Sequence, residues 1–306
     1  MAHHRGELII DFSGQVAIVT GAGKGIGREI AMALGSRGAS VVVNNRSRDG
    51  ADPASDVVAE IKRAGGVAVA ERSSVEAPGA AGEIVAAALD NFGRLDHVVA
   101  NAAIVDRATF ANADPNRFRQ VIEIDFMAPV ALARAALAEV QKRSGRFLFM
   151  TSTAGAYGEL GASSYAAAKG ALNTFAKTLA LEHARDGVKV NLLAPYALTQ
   201  MTEGFVTDEQ AQALSPDRVV PAAIWLLGPD VPVTGATIVA AANTFRPLAT
   251  GEATGVAFPT NTTVTDDRFA QAANEVLDLD GWISHPDGIT AFRHLMASTA
   301  ENRDQR

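Results

Sequence analysis

Apolar residues cluster in short runs separated by helix-like patterns, and the first such stretch sets the theme. Val16 to Thr20 is apolar and β-rich, and a glycine-rich turn follows it. Ile26, Ile30, Ala33 and Leu34 then recur on one helical face, and Val41 to Val43 is apolar again. Strand, tight turn, helix and strand within about thirty residues is the size of one βαβ unit. The alternation continues: "DVVAEIKRAGG" predicts a helix stopped by glycines, "VAVAE" a strand, "EIVAAALDNFG" a helix and "LDHVVANAA" a strand. Residues 116–143 predict a long helix, "RFLFMTS" a strand, 163–185 a second long helix, "VKVNLLAP" a strand, "DRVVPAAIWLLG" a helix and "ATIVAAA" a last short strand.

These strands are nearly continuous apolar runs, which is the pattern of strands buried on both faces. Strands alternating with helices predict a doubly wound parallel α/β sheet joined by right-handed crossovers. That sheet occupies residues 14–242 as a single domain, after an N-terminal tail at 1–13. Residues 243–306 differ. "NTFRPLATGEATGVAFPTNTTVTDDR" reads as an extended loop, followed by a helical "DDRFAQAANEVLDL" and a short polar end. So short a segment makes a marginal core alone, so it is expected to pack on the main domain as a C-terminal extension.

Composition narrows the function. A formal charge of −7 argues against nucleic acid or anionic membrane as partner. There is no cysteine, which excludes disulfides, thiolate nucleophiles and Cys-ligated zinc. No charge-free apolar run reaches the length of a membrane span. The start, "MAHHRGELIIDFSG", lacks a signal-peptide core. His3 and His4 read as solvated residues of a loose tail, so no metal site is expected. A cytoplasmic enzyme is the resulting expectation.

The turn "TGAGKGIG" places glycines at 21, 23, 25 and 27 between a strand and its helix. Glycine lets the backbone turn sharply and approach a pyrophosphate, and the following helix start offers N–H groups and a positive dipole end. The end of the second strand should meet the adenosine ribose. An acid there would bind the 2′-hydroxyl of NAD; "VVVNNRSR" instead has Asn45 and then Arg46, with Lys24 in the glycine turn. Two cations and no anion favour NADP over NAD, unless both charges are simply solvated.

Tyr165 and Lys169, in "YAAAK", lie one turn apart on one helix face. An ordinary phenol is a poor base at neutral pH, but a partly desolvated ammonium nearby favours its phenolate. The intervening alanines let a flat ligand lie close, and Ser152 at the end of "FLFMTS" offers a hydroxyl to a substrate oxygen. A solvated surface pair is the plain alternative.

Taken together, TGAGKGIG, "ANAA" after the fourth strand, Ser152 and Tyr165-Ala-Ala-Ala-Lys169 resemble the short-chain dehydrogenase/reductase superfamily over residues 14–242. The resemblance implies a Rossmann-type fold. It implies that Ser152 orients the substrate oxygen, Tyr165 exchanges its proton, and Lys169 activates Tyr165 and binds the nicotinamide ribose. The cofactor would be lined by Gly21, Lys24, Gly25, Ile26, Gly27, Arg46, Ser74, Val75, Asn101, Ala102, Ala103, Pro195 and Thr199, besides Tyr165 and Lys169. A homodimer or homotetramer is implied as well.

Four positions depart from the pattern: Ala100-Asn101-Ala102-Ala103 for Asn-Asn-Ala-Gly, Pro195-Tyr196 for Pro-Gly, Ser74 for an aspartate beside the adenine, and Asp125 for the asparagine of a proton relay. Asp125 is either structural or a relay residue. "LSPDRVVPAAIWLLG", "TGATIVAAANTFRPL" and the segment from "TVTDDRFAQ" to "SHPDGI" are similar to the (3R)-hydroxyacyl-CoA dehydrogenase unit of peroxisomal-type multifunctional enzymes. Asn45-Arg46 departs from the acid which that branch carries. A hydroxysteroid or other apolar-ketone reductase is the alternative within the class, with Tyr196 to Phe205 and 243–263 shaping its pocket. A non-catalytic nucleotide-binding regulator is the alternative outside it. Trp225, Trp282 and His183 read as packing or surface residues.

Overall fold

The computed structural model describes residues 10–47, 49–197, 212–259 and 262–304. Strand β1 (Val16–Thr20) is wholly buried, and its side chains alternate between two cores. Ala17 and Val19 join Ile30, Leu34, Val41, Val43 and Val57 on one face of the sheet; Val16 and Ile18 join Val42, Ile84, Leu132 and Leu172 on the other. The near-continuous apolar strand sequence follows from this two-sided burial.

Around β1 stand α1 (Gly25–Gly35), β2 (Ser40–Asn44), α2 (Pro53–Arg63), β3 (Val67–Glu71), α3 (Ala80–Phe92) and β4 (His97–Ala100). The second half carries α4 (Pro115–Ile122), α5 (Ala128–Gln141), β5 (Arg146–Met150), α6 (Ala154–Tyr157), α7 (Ser163–Glu182), β6 (Lys189–Pro195), α8 (Val220–Leu227), β7 (Thr237–Ala241) and β8 (Thr244–Leu248). The strand order is β3-β2-β1-β4-β5-β6-β7-β8, and β1 to β7 pair in parallel. The doubly wound sheet is therefore present. Its winding reverses between β1 and β4, which opens a crevice beyond their carboxyl ends.

Two expected features differ. The long helix at 116–143 is interrupted by a π turn at Glu123–Met127, between α4 and α5. The stretch expected as a loop from 243 opens with β8, because Ala242 (φ 47°) and Asn243 (φ 61°) form a two-residue turn with both φ values positive. Such a turn matches strand twist and closes a hairpin.

The chain divides into two compact units, one through Pro247 and one from Leu248. In the second, α9 (Asp266–Val276) starts where the Thr265 hydroxyl accepts the Arg268 N–H at 3.3 Å. The segment expected as a polar end forms α10 (Gly288–Asp304). Glu252 bridges Ile283, and Gly251 lies against the Trp282 ring so closely that a Cβ would meet it at 2.4 Å. Trp282 thus packs on Gly251 with one part of its ring while remaining 47% exposed. No helix among the described residues is long and apolar enough to cross a membrane.

His97, at the start of β4, is 4% exposed, edge-on to Phe12, with Nε2 2.5 Å from Gln15 Oε1. Burial, opposed by Asp96 and reinforced by Arg146 and Arg94, pushes its pKa down to about 4 from 6.5. A histidine lowered in the folded state gives stability that is present above 6.5 and lost as the pH falls to about 4. Urea unfolding across that window should show a loss of roughly 3 kcal/mol attributable to His97, which His97→Phe removes. An identical pH slope in the two proteins would contradict this.

Candidate active site

The glycine turn closes on the next strand's loop. Gly21 (φ +63°) approaches so near that a Cβ would lie 2.8 Å from Ala102 Cα, and one on Gly27 would lie 2.4 Å from Asn101 Nδ2. Only glycine fits either place. Asn101 Nδ2 donates to the carbonyls of Thr20 (2.9 Å) and Gly21 (3.1 Å). Thr20 Oγ1 accepts the N–H groups of Asn101 (3.0 Å) and Ala102 (3.1 Å). These bonds tie together the carboxyl ends of β1 and β4. Lys24 is extended at the N-cap of α1 and supplies no capping oxygen, so the helix start suits an anion.

From this turn a cleft of about 890 Å³ runs to α7. Among the predicted positions Gly21, Lys24, Gly25, Ile26, Arg46, Ser74, Val75, Asn101, Ala102, Ala103, Tyr165, Lys169 and Pro195 line it. Gly27 is buried beneath, against Asn101. Asp125 lies behind the wall, fully buried. Thr199, and the stretch of Tyr196 to Phe205 beyond Ala197, lie outside the described residues.

At the end of the cleft beside β2 the charge expectation needs correction. Arg46 does not stand without an anion: its Nη1 lies 3.7 Å from Glu76 Oε1, and Ser74 Oγ donates to Glu76 Oε2 at 2.7 Å. Asn45 Oδ1 accepts the Gly23 N–H at 3.3 Å. Asn44 is buried and donates to Glu71 Oε2 (2.6 Å) and to the Ser73 carbonyl (2.9 Å). Nothing in the sequence marked Glu76 as a partner for Arg46, because only the fold of the loop after β3 brings it to the end of β2.

At the other end α6 and α7 touch through backbone. A Cβ on Gly155 would lie 2.5 Å from the Lys169 carbonyl carbon. Lys169 is 3% exposed; its Nζ donates to the Met150 carbonyl at 3.0 Å and lies 3.3 Å from Asp125 Oδ2. That pair is ionic and makes no hydrogen bond of good geometry, since Oδ2 has no such partner among the described residues. The other carboxylate oxygen, Oδ1, accepts the Ile104 N–H at 2.8 Å. Burial pushes the Asp125 carboxyl above the usual carboxylate range, with Lys169 the main opposing influence. Nζ stands 5.5 Å from the Tyr165 ring centroid. Ser152, just beyond β5, accepts the Ala154 N–H on Oγ at 3.1 Å. Tyr196, in the usual glycine's place, hydrogen-bonds through its hydroxyl to Thr153 Oγ1.

Glu76 is not the sole cleft residue that the sequence left unmarked; Met150 and Arg117 are others. Met150 contributes the carbonyl that holds Lys169, and Arg117, near the start of α4, lines the cleft and donates to Gln120 Oε1 at 2.6 Å. Among the described residues no three His, Cys, Asp or Glu side chains gather in a way that could hold a metal ion.

A doubly wound sheet with a glycine-lined crevice at its winding reversal, and a Tyr–Lys pair at the crevice's far end, defines a dinucleotide-type α/β protein. The family model described as short chain dehydrogenase matches residues 15–210, and the chain belongs to that family. It is an oxidoreductase acting on CH–OH groups. It is 36% identical over 297 residues to the peroxisomal hydratase-dehydrogenase-epimerase of Neurospora crassa, covering 96% of this chain and 32% of that protein. The chain spans about a third of the length of the curated relatives it matches first. Among solved structures, full-length peroxisomal multifunctional enzyme type 2 from Drosophila melanogaster superposes with a TM-score of 0.82 at 28% identity, over 95% of this chain and 50% of that one. A short chain dehydrogenase from Mycobacterium avium gives 0.77 at 33% identity, over 88% and 95%.

Proposed function

We propose that this chain interconverts a secondary alcohol and a ketone with NAD(P), taking NADP in preference to NAD, and that Tyr165 is the general acid/base. The observation that carries it is the buried Lys169 ammonium, held by the Met150 carbonyl and Asp125 one helical turn from Tyr165. The residues fit a dinucleotide, because Gly21, Lys24, Gly25 and Ile26 line the cleft at the start of α1, where, among the described residues, no side chain caps the helix N–H groups. When bound, the nicotinamide exchanges a hydride with the substrate carbon. Gly21, Lys24, Gly25 and Ile26 would hold the pyrophosphate, and Arg46 with Lys24 would favour the 2′-phosphate.

The chain's own work is proton chemistry and orientation. Ser152 Oγ holds the substrate oxygen, while the Tyr165 hydroxyl gives it a proton during reduction or takes one during oxidation. Charge that develops on the Tyr165 oxygen is stabilised by the Lys169 ammonium in a site with little water to screen it. Asp125 keeps that ammonium in place from behind, and so acts as a positioning residue.

A 3-hydroxyacyl-CoA-like thioester is the substrate best supported. The relatives' printed names include a dehydrogenase of that multifunctional kind, and Arg117 puts a cation among the residues lining the cleft. The apolar lining of Ile104, Val105, Ile124 and Met150 supports a second reading, an apolar-ketone reductase. Turnover of acyl-CoA and hydroxysteroid panels, followed by nicotinamide absorbance, separates the two. Arg117→Ala should raise KM roughly tenfold for a CoA thioester and leave an uncharged ketone unchanged, as loss of one charged hydrogen bond predicts. Equal effects on both substrates would remove Arg117 from carrier recognition.

A further inference from the structure

Arg46 is the cation placed to meet a 2′-phosphate, yet it already has a resident anion. Glu76 Oε1 lies 3.7 Å from Arg46 Nη1, and the other oxygen, Oε2, is fixed by Ser74 Oγ at 2.7 Å. The carboxylate is therefore held from two sides. Arg46, Ser74 and Glu76 all line the same cleft, where the loop after β3 comes up beside the end of β2. The glutamate side chain is 25% exposed and the arginine 44%, so both remain open to a ligand in the cleft. Asn45 is not free to replace Arg46, since its Oδ1 accepts the Gly23 N–H and its Nδ2 donates to the Arg46 carbonyl at 3.0 Å.

We propose that Glu76 is a specificity-determining residue: it occupies Arg46 as a built-in stand-in for the 2′-phosphate and narrows the preference for NADP over NAD. This rests on the dinucleotide reading above. A 2′-phosphate must take Arg46 from Glu76 and then lie close to a displaced carboxylate. A 2′-hydroxyl leaves the Arg46–Glu76 pair intact. The balance between the two cofactors is thus set by one carboxylate, and Lys24 with Arg46 alone would discriminate more strongly.

Glu76→Gln keeps the shape and the hydrogen bond from Ser74 while removing the charge. Titration of the protein with NADPH and with NADH, followed by nicotinamide fluorescence, should show the Kd ratio moving about tenfold towards NADPH. That is the scale expected for removing one charge near a dianion at a partly exposed site. The shift should shrink in high salt and become smaller, though not vanish, when Arg46→Ala is added, because the competition for Arg46 is removed while the repulsion between carboxylate and phosphate stays. Thermal melts of both variants establish that they are folded. An unchanged Kd ratio, or equal tightening of both cofactors, would overturn the proposal while leaving dinucleotide binding in place. Failure of wild type to bind either cofactor would instead sink the functional reading, and this inference with it.

Discussion

Tyr165→Phe should lower kcat by about 10²–10⁴-fold, the range that a positioned proton donor supplies. Only one oxygen is lost. The ring stays, with Lys169 still 5.5 Å from its centroid in the wild-type arrangement, and the helix around it is unchanged. Cofactor Kd and thermal midpoint should therefore match wild type. Single-turnover kinetics with the best substrate of the panel, read beside a cofactor titration, make the comparison. If every substrate turned over at the wild-type rate, Tyr165 would not be the acid/base, and a nucleotide-binding role without catalysis would become the better account.

Lys169→Met should cost about 3–5 kcal/mol of folding stability near neutral pH, because it leaves Asp125 as a buried charge without its counter-ion. Asp125 is fully buried, and among the described residues its second oxygen has no hydrogen-bond donor to replace the ammonium. The loss should depend on pH. Burial holds the Asp125 carboxyl above 3.8 even in the wild type, and removal of Lys169 takes away the main influence opposing that shift. A carboxyl raised in the folded state contributes stability that is fully present below its unfolded value, and that is lost as the pH rises through its folded value. The deficit of the variant should then be largest at pH 7 to 8 and shrink as the pH falls toward about 4. Adding Asp125→Asn, which keeps an acceptor for the Ile104 N–H, should recover most of it. Urea unfolding across this range tests the claim; a deficit independent of pH would show lost packing rather than a stranded charge.

These two positions were legible in the sequence to different degrees. Tyr165 and Lys169 stand on one helix, so spacing alone places them on a common face. Asp125 was conspicuous as an acid in an apolar run, but nothing local named its partner or the π turn that carries it. Such a turn commonly marks a functional site, and here it falls where Asp125 meets Lys169. Nothing along the chain marked Glu76 as a partner for Arg46, and the expectation of an unopposed Arg46 failed for that reason. The strand β8 was hidden because Phe245, Arg246 and Pro247 carry no alternation, and its start depends on the positive φ of Ala242 and Asn243.

What this sequence determined by itself was the alternation of strands and helices, the parallel sheet, the glycine turn and the Tyr–Lys face. Each is encoded within a few residues, by period, by backbone freedom or by the rule that crossovers are right-handed. Tertiary structure alone decided which partner each charged group finds: Lys169 with Asp125 and the Met150 carbonyl, Arg46 with Glu76. Electrostatic partnership depends on distance and burial in space, and neither is a function of separation along the chain.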